Sequence, residues 1–188
     1  SSIYPFKRKN AAGSDKWYEK IRMSYSGYVR NSINTKENLL FKSSLIKDWR
    51  NGAQHNIPVS ATFNLLKYIN LTPSVSYTER WYSSKIDKSW DAASKKEVID
   101  TVWGFNRVYN YSASISASTK LYGFYKPLPF LGGKRIEAIR HMFTPTVSLS
   151  ATPDFGAHRF GYWDSYSYTD DKGNERNVIY NHYSNGLF

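Results

Sequence analysis

Residues 109–119 read Tyr109-Asn110-Tyr111-Ser112-Ala113-Ser114-Ile115-Ser116-Ala117-Ser118-Thr119. Tyr109, Tyr111, Ala113, Ile115 and Ala117 alternate with Asn110 and a row of serines without a slip. A helix would scatter both sets around its axis. An extended strand, whose side chains repeat every two residues, sorts them into one apolar and one hydroxyl-bearing face. The alternation starts at Phe105, so a strand is expected over about 103–119.

The same pattern recurs on both sides. From Trp17 to Arg30, Ile21, Met23, Tyr25, Gly27 and Val29 oppose Lys20, Arg22, Ser24, Ser26, Tyr28 and Arg30. Over 55–66, Ile57, Val59, Ala61, Phe63 and Leu65 alternate with Pro58, Ser60, Thr62 and Asn64. After a short link, Lys67 to Asn70, a further strand over 71–82 sets Leu71, Pro73, Val75 and Tyr77 against Thr72, Ser74, Ser76 and Thr78. The last, over 139–152, places Phe143, Val147, Leu149 and Ala151 opposite Thr144, Thr146, Ser148, Ser150 and Thr152. Helical periodicity is scarce throughout.

Connections alternate in length. Asn10–Lys16 and 67–70 are short, whereas 32–54, 83–101 and 155–177 are long and polar. Lys120–Glu137 is intermediate, with Gly132-Gly133 and two prolines. Strands of about ten residues joined alternately by short turns and long loops are the layout of a transmembrane β-barrel. The polar positions in mid-strand are mostly Ser, Thr and Asn, with charges near the strand ends, as suits a face turned to a barrel lumen. Tyr25, Tyr77, Trp81, Tyr109 and Tyr111 stand near the ends of the apolar face, as an interfacial girdle would. The expectation is an all-β chain: an antiparallel transmembrane β-barrel segment of about five to seven strands, fewer than the roughly eight that close a barrel. Residues 1–188 then form one partial outer-membrane β-barrel domain. Ile3–Lys9 reads as the end of an earlier strand and Val178–Phe188 as the start of a later one. The Ser1-Ser2 opening fits a mature or excised piece.

Composition narrows the function. The 188 residues carry 26 Lys+Arg against 15 Asp+Glu, a formal charge of +11. With no cysteine there is no disulfide, zinc ribbon, iron–sulfur site or thiol nucleophile. Mean hydropathy is −0.60 and no apolar run approaches the roughly 18–20 residues of a membrane-spanning helix. Aromatics make up 17% of the chain, and 16 of them are tyrosines, whose ring and hydroxyl favour boundaries between dry and wet surroundings.

Several strings resemble the barrel region of the LptD-like lipopolysaccharide assembly proteins of Bacteroidota outer membranes. They are Lys16-Trp17-Tyr18-Glu19-Lys20-Ile21, Asn51-Gly52-Ala53-Gln54-His55-Asn56-Ile57-Pro58, Leu71-Thr72-Pro73-Ser74-Val75-Ser76-Tyr77 and Ser118-Thr119-Lys120-Leu121-Tyr122-Gly123. The most specific are Ala138-Ile139-Arg140-His141-Met142-Phe143-Thr144-Pro145 and Thr152-Pro153-Asp154-Phe155. The motif positions are thus Arg140, His141, Pro145, Pro153, Asp154 and Phe155. The resemblance, from about Lys16 to Tyr162, implies a non-catalytic conduit in the outer membrane of a Gram-negative bacterium. Its partners would be lipopolysaccharide, outer-membrane lipids, a plug lipoprotein inside the barrel and the periplasmic Lpt bridge components. The family's periplasmic jellyroll and the two strands of its lateral seam have no counterpart in these strings.

Lys20, Arg22, Arg30, Arg80, Lys120 and Arg140 lie on expected polar faces and are the candidate lipid- and phosphate-binding residues, because Arg and Lys both bind phosphate. The alternative for each is pairing with a carboxylate to hold the wall in shape. A basic, aromatic chain also suits nucleic acid, but no basic helix, RNP-like string or Lys-rich tail is present, so no nucleic-acid partner is expected. His55, His141, His158 and His182 are dispersed, and no metal site or cofactor is expected. Arg140 and His141, adjacent in a strand, point to opposite faces. Asp170-Asp171-Lys172-Gly173-Asn174 lacks EF-hand spacing and reads as a turn, and Asp154 as the cap of its own turn. Pro58, Pro73 and Pro145 each remove a ladder hydrogen bond, which either loosens strand pairing or marks a strand start or bulge. Neither a phosphate loop nor a nucleophile elbow is present, so no enzyme is expected. Two other classes fit the alternation: a porin- or receptor-type nutrient barrel, and a soluble glycan-binding β-sandwich in which Trp17, Trp81 or Trp103 would stack on sugars.

Overall fold

A computed structural model describes residues 2–9, 13–33, 36–37, 49–125 and 139–188. The chain is all-β, and among the described residues there is no α-helix. The strands are β1 (Ser2–Ile3), β2 (Ile21–Ser24), β3 (Ser26–Ile33), β4 (Trp49–Ala61), β5 (Phe63–Leu65), β6 (Ile69–Asp91), β7 (Lys96–Thr119), β8 (Leu121–Tyr125), β9 (Ile139–Phe143), β10 (Thr146–Ala151), β11 (Trp163–Thr169) and β12 (Glu175–Asn181). The main sheet runs β1-β2-β4-β6-β7-β10, with β3 also on β4 and β5 on β6. Among the described residues its path of paired strands is open rather than closed into a barrel.

Registers explain why alternation in sequence becomes two faces in space. Met23 pairs with Val59, Phe63 with Leu71, Val147 with Ala117 and Leu149 with Ile115. Arg22 pairs with Ser60, and Ser148 and Ser150 with Ser116 and Ser114. At these positions apolar meets apolar and small polar groups meet each other or a cation, and such cross-strand pairs are the unit of sheet stabilisation.

Two proline positions interrupt ladders without shifting them. Met23 opposite Val59 and Ser26 opposite Asn56 keep one register across the gap between β2 and β3, which leaves Ser24 facing Pro58. Likewise Ser118 opposite Thr146 and Leu121 opposite Phe143 keep one register across Pro145. There the Thr119 amide donates to the Pro145 carbonyl at 3.2 Å, and proline has no N–H to return the bond. Neither site is a bulge. Each is a missing rung.

Several boundaries differ from the sequence reading. Trp17–Lys20 is a 3₁₀ turn, so Lys20 precedes the strand instead of lying on its polar face, and the strand resumes to Ile33. The expected loop 83–101 is strand on both sides of a tight turn at Ala92–Lys95. Ladder bonds are made by backbone, so charged side chains do not end a strand. Here some of those charges pair, Lys88 with Glu97 at 3.0 Å and Lys85 with Asp87 at 3.5 Å. With two tight turns, at 66–68 and 92–95, the expected alternation of loop lengths fails, and β6 and β7 reach 23 and 24 residues. Of the expected loop 155–177, residues 155–162 are irregular, with a 3₁₀ turn at His158–Phe160, whereas β11 and the first residues of β12 form a hairpin joined by the Asp170–Asn174 turn. Val178–Asn181 pairs within that hairpin and does not begin a further barrel strand. Of the loop 32–54, residues 49–54 belong to β4 and 34–35 and 38–48 lie outside the described residues, as do Gly132 and Gly133. Of Ile3–Lys9, only Ile3 is strand.

Contacts group the chain into two units. One holds residues 1–24, 58–76 and 112–152; the other holds 25–57, 77–111 and 153–188. In the second, residues 153–188 grip the β6–β7 hairpin. The Ile86 amide donates to the His182 carbonyl at 2.8 Å, and Tyr162 bonds the backbone of Tyr109. Tyr82 and Ile86 are buried there. In the first unit Ala61 is buried and Met23, Val59 and Leu71 are half-buried, but the apolar row of β10 stays bare: Val147 and Leu149 are 73% and 71% exposed.

Candidate functional site

In the first unit the cations converge at the start of β2. Arg22 projects beside Ser60, its ladder partner, while Lys20 ends the preceding 3₁₀ turn. With Lys7, Tyr4, Thr62 and Thr72 they line a hollow of ≈ 400 Å³. Three cations thus share one space with the hydroxyl-bearing residues Tyr4, Ser60, Thr62 and Thr72. Asp15 and Glu19 also border it.

Glu19 is what folds the N-terminal segment back to this place. Its side chain is fully buried, and its carboxylate accepts four hydrogen bonds. Arg8 Nε donates to Oε1 at 2.7 Å and Arg8 Nη2 to Oε2 at 2.9 Å. The amides of Arg8 and Lys16 add bonds at 3.2 and 2.6 Å. A carboxylate so supplied with donors holds its charge readily. The Arg8 side-chain bonds first, then the Lys16 amide, hold Glu19 down from 4.5 to about 2. Its charge is spent on this clamp, so it does not neutralise Lys7, Lys20 or Arg22. Among the described residues none of these three forms an ion pair within 4 Å.

The other predicted cations lie elsewhere. Lys120 is exposed in the gap between β7 and β8. Arg140 pairs with Phe124 in the register of β8 and β9, and its guanidinium lies 4.8 Å from the centre of the Tyr122 ring. His141 faces Gly123 in the same ladder, on the side opposite Arg140, so the two do not act together. In the second unit Arg30 donates to the Leu187 carbonyl at 3.0 Å and covers the Phe188 ring at 5.1 Å. Arg80 donates to Asn110 at 3.1 Å, while its Nε is buried without a partner among the described residues. The six candidates therefore divide, and only Lys20 and Arg22 share a hollow.

Of the remaining motif residues, Asp154 and Phe155 make local contacts. Asp154 accepts from the Gly156 amide at 2.8 Å and so caps its own turn. Phe155 packs its ring edge-on to Tyr111, at 5.5 Å between centres, as the chain leaves the sheet after Pro153. Asp170 accepts from the Lys172 and Asn174 amides, both at 2.9 Å, which is a hairpin turn. Among the described residues no three His, Asp or Glu side chains are gathered to hold a metal.

Sequence reasoning missed Lys7, Arg8 and Glu19. Their association depends on a fold-back over a separation of 11 residues that no periodicity marks. It also missed Arg50, which donates to the Asn185 carbonyl at 3.3 Å, and the Arg107–Glu79 pair at 2.9 Å.

The family model described as LptD protein matches residues 1–188. No curated protein matches the chain, and no solved structure does. With the whole length matched, the chain belongs to the LptD family, outer-membrane components of Gram-negative bacteria that take part in lipopolysaccharide transport.

Proposed function

We propose that the chain is a stretch of barrel wall in an outer-membrane protein that passes lipopolysaccharide to the outer leaflet, of the kind found in Bacteroidota. The observation that carries this reading is the two-faced sheet. In the first unit the apolar row Val147, Leu149 and Ile115 is exposed, at 73%, 71% and 40%, while the Ser114, Ser116, Ser148 and Ser150 row lies on the other face. A bare apolar face costs free energy in water, at about 25 cal/mol per Å², and none in lipid. A soluble sandwich would cover that face with a second sheet. Hydroxyls and cations on the other face suit a wet lumen that accepts an anionic glycolipid.

The wall acts passively in this proposal. It supplies a surface, and the driving force comes from the periplasmic Lpt bridge, with a plug lipoprotein inside the barrel. Replacing Arg22 or Leu149 with a photo-crosslinking residue in cells tests the assignment of faces. Arg22 is expected to capture lipopolysaccharide in transit and Leu149 to capture bulk phospholipid. Recovery of the protein in the soluble fraction after a carbonate wash overturns the reading.

A further inference from the structure

We infer that the hollow formed by Lys7, Lys20 and Arg22 is a phosphate seat, and that the Arg8–Glu19 pair is its positioning clamp. Three features converge. The hollow holds ≈ 400 Å³ and is lined by three cations and the hydroxyls of Ser60, Thr62 and Thr72. A phosphate oxygen accepts from all of these groups, and charge-assisted bonds are the strong ones. The deepest acid, Glu19, already has four donors, two of them from the Arg8 side chain, so its charge is met inside the clamp. Among the described residues Asp15 is then the single carboxylate left facing three cations.

The clamp also explains how Lys7 comes to be there. β1 joins β2 through only two pairs, Ser2 with Ser24 and Ile3 with Met23. Beyond them the chain turns away. The Arg8 bonds to Glu19 draw residues 7 and 8 back beside the 3₁₀ turn, and that turn ends at Lys20. Binding demands little rearrangement, because the clamp is complete without ligand. The ligand class is a phosphate-bearing molecule, either a lipid headgroup or free phosphate. A role for the seat in lipid passage rests on the function proposed above; its affinity for phosphate does not.

The test is an amine-acetylation footprint of the intact protein in detergent, read by mass spectrometry. Lys67 and Lys172, both exposed in turns outside the hollow, serve as internal controls. The probes are inorganic pyrophosphate, lipopolysaccharide, and lipopolysaccharide stripped of its phosphates. At a concentration twice the dissociation constant, occupancy slows acetylation of Lys7 and Lys20 about threefold. Lys67 and Lys172 are expected to be unchanged. Arg22→Gln is expected to abolish the protection and Arg22→Lys to retain most of it, which separates loss of charge from loss of fold. Equal rates with and without pyrophosphate and intact lipopolysaccharide overturn the seat, as does equal protection of the controls. Protection by pyrophosphate alone upholds the seat and counts against the lipid conduit; protection that survives removal of the phosphates overturns the phosphate assignment.

Discussion

The Tyr162 hydroxyl bonds both backbone groups of Tyr109. It accepts from the Tyr109 amide at 2.9 Å and donates to the Tyr109 carbonyl at 3.0 Å. β10 pairs with β7 only as far as Ala151 opposite Ala113, so Tyr109 has no ladder partner on that edge. A side chain here takes the place of the missing strand, and satisfies two backbone groups that are costly to leave unpaired when shielded from water.

Tyr162→Phe removes both bonds and keeps the ring. With Tyr162 only 7% exposed, the variant is expected to lose about 1–3 kcal/mol, the cost of unsatisfied partly buried groups. Urea unfolding measures the loss. Faster proteolysis within 153–161 is expected to accompany it, since that segment is pinned at this point.

Acid is expected to release the N-terminal clamp. Glu19, in the turn before the first long strand, has its folded value held at about 2 against an ordinary 4.5. Its contribution is therefore fully present above pH 4.5 and is lost as pH falls from there towards about 2. Acetylation of Lys7 is unsuitable at that pH. Protection of the Arg8 and Lys16 amides against hydrogen exchange, read by mass spectrometry relative to an unstructured amide at the same pH, is expected to fall across this window in the wild type. In Glu19→Gln those amides are expected to exchange fast already at neutral pH.

Neighbouring residues of β10 are expected to respond unequally to the same charge. Leu149 lies on the bare apolar face and Ser148 on the hydroxyl face. In lipid vesicles Leu149→Arg is expected to cost about 2–4 kcal/mol, the range for arginine near a bilayer midplane. Ser148→Arg is expected to be close to neutral. Equal costs, read from unfolding midpoints, would remove the assignment of faces.

Pro145→Ala is expected to close the missing rung. The Thr119 amide already donates to the residue 145 carbonyl, and the flanking registers agree. An amide at 145 therefore has the Thr119 carbonyl as its partner, for a gain of about 0.5–1.5 kcal/mol. Slow hydrogen exchange at the new amide is the direct measurement. If transport in cells falls while stability rises, the gap serves strand separation.

What the chain could announce by itself was whatever depends on side-chain period. Tyr109–Thr119 and Thr146–Ala151 carry their two faces in the order of their residues, because a strand sends neighbours to opposite sides wherever it lies. Arg140 and His141 could be separated on the same ground. Strand ends were another matter. The polar stretch after Tyr82 reads as a loop, yet Ser83–Asp91 and Lys96–Thr101 are strand. Backbone groups there found partners, which polar side chains neither advertise nor forbid. Tertiary structure alone decided how the cations divide. Arg30 and Arg80 are occupied by the Leu187 carbonyl and Asn110, 157 and 30 residues away. Lys7 joins Lys20 and Arg22 only because Glu19 is buried against Arg8. Period is a property of the local backbone, whereas the neutralisation of a charge depends on which distant group the fold brings within hydrogen-bonding reach.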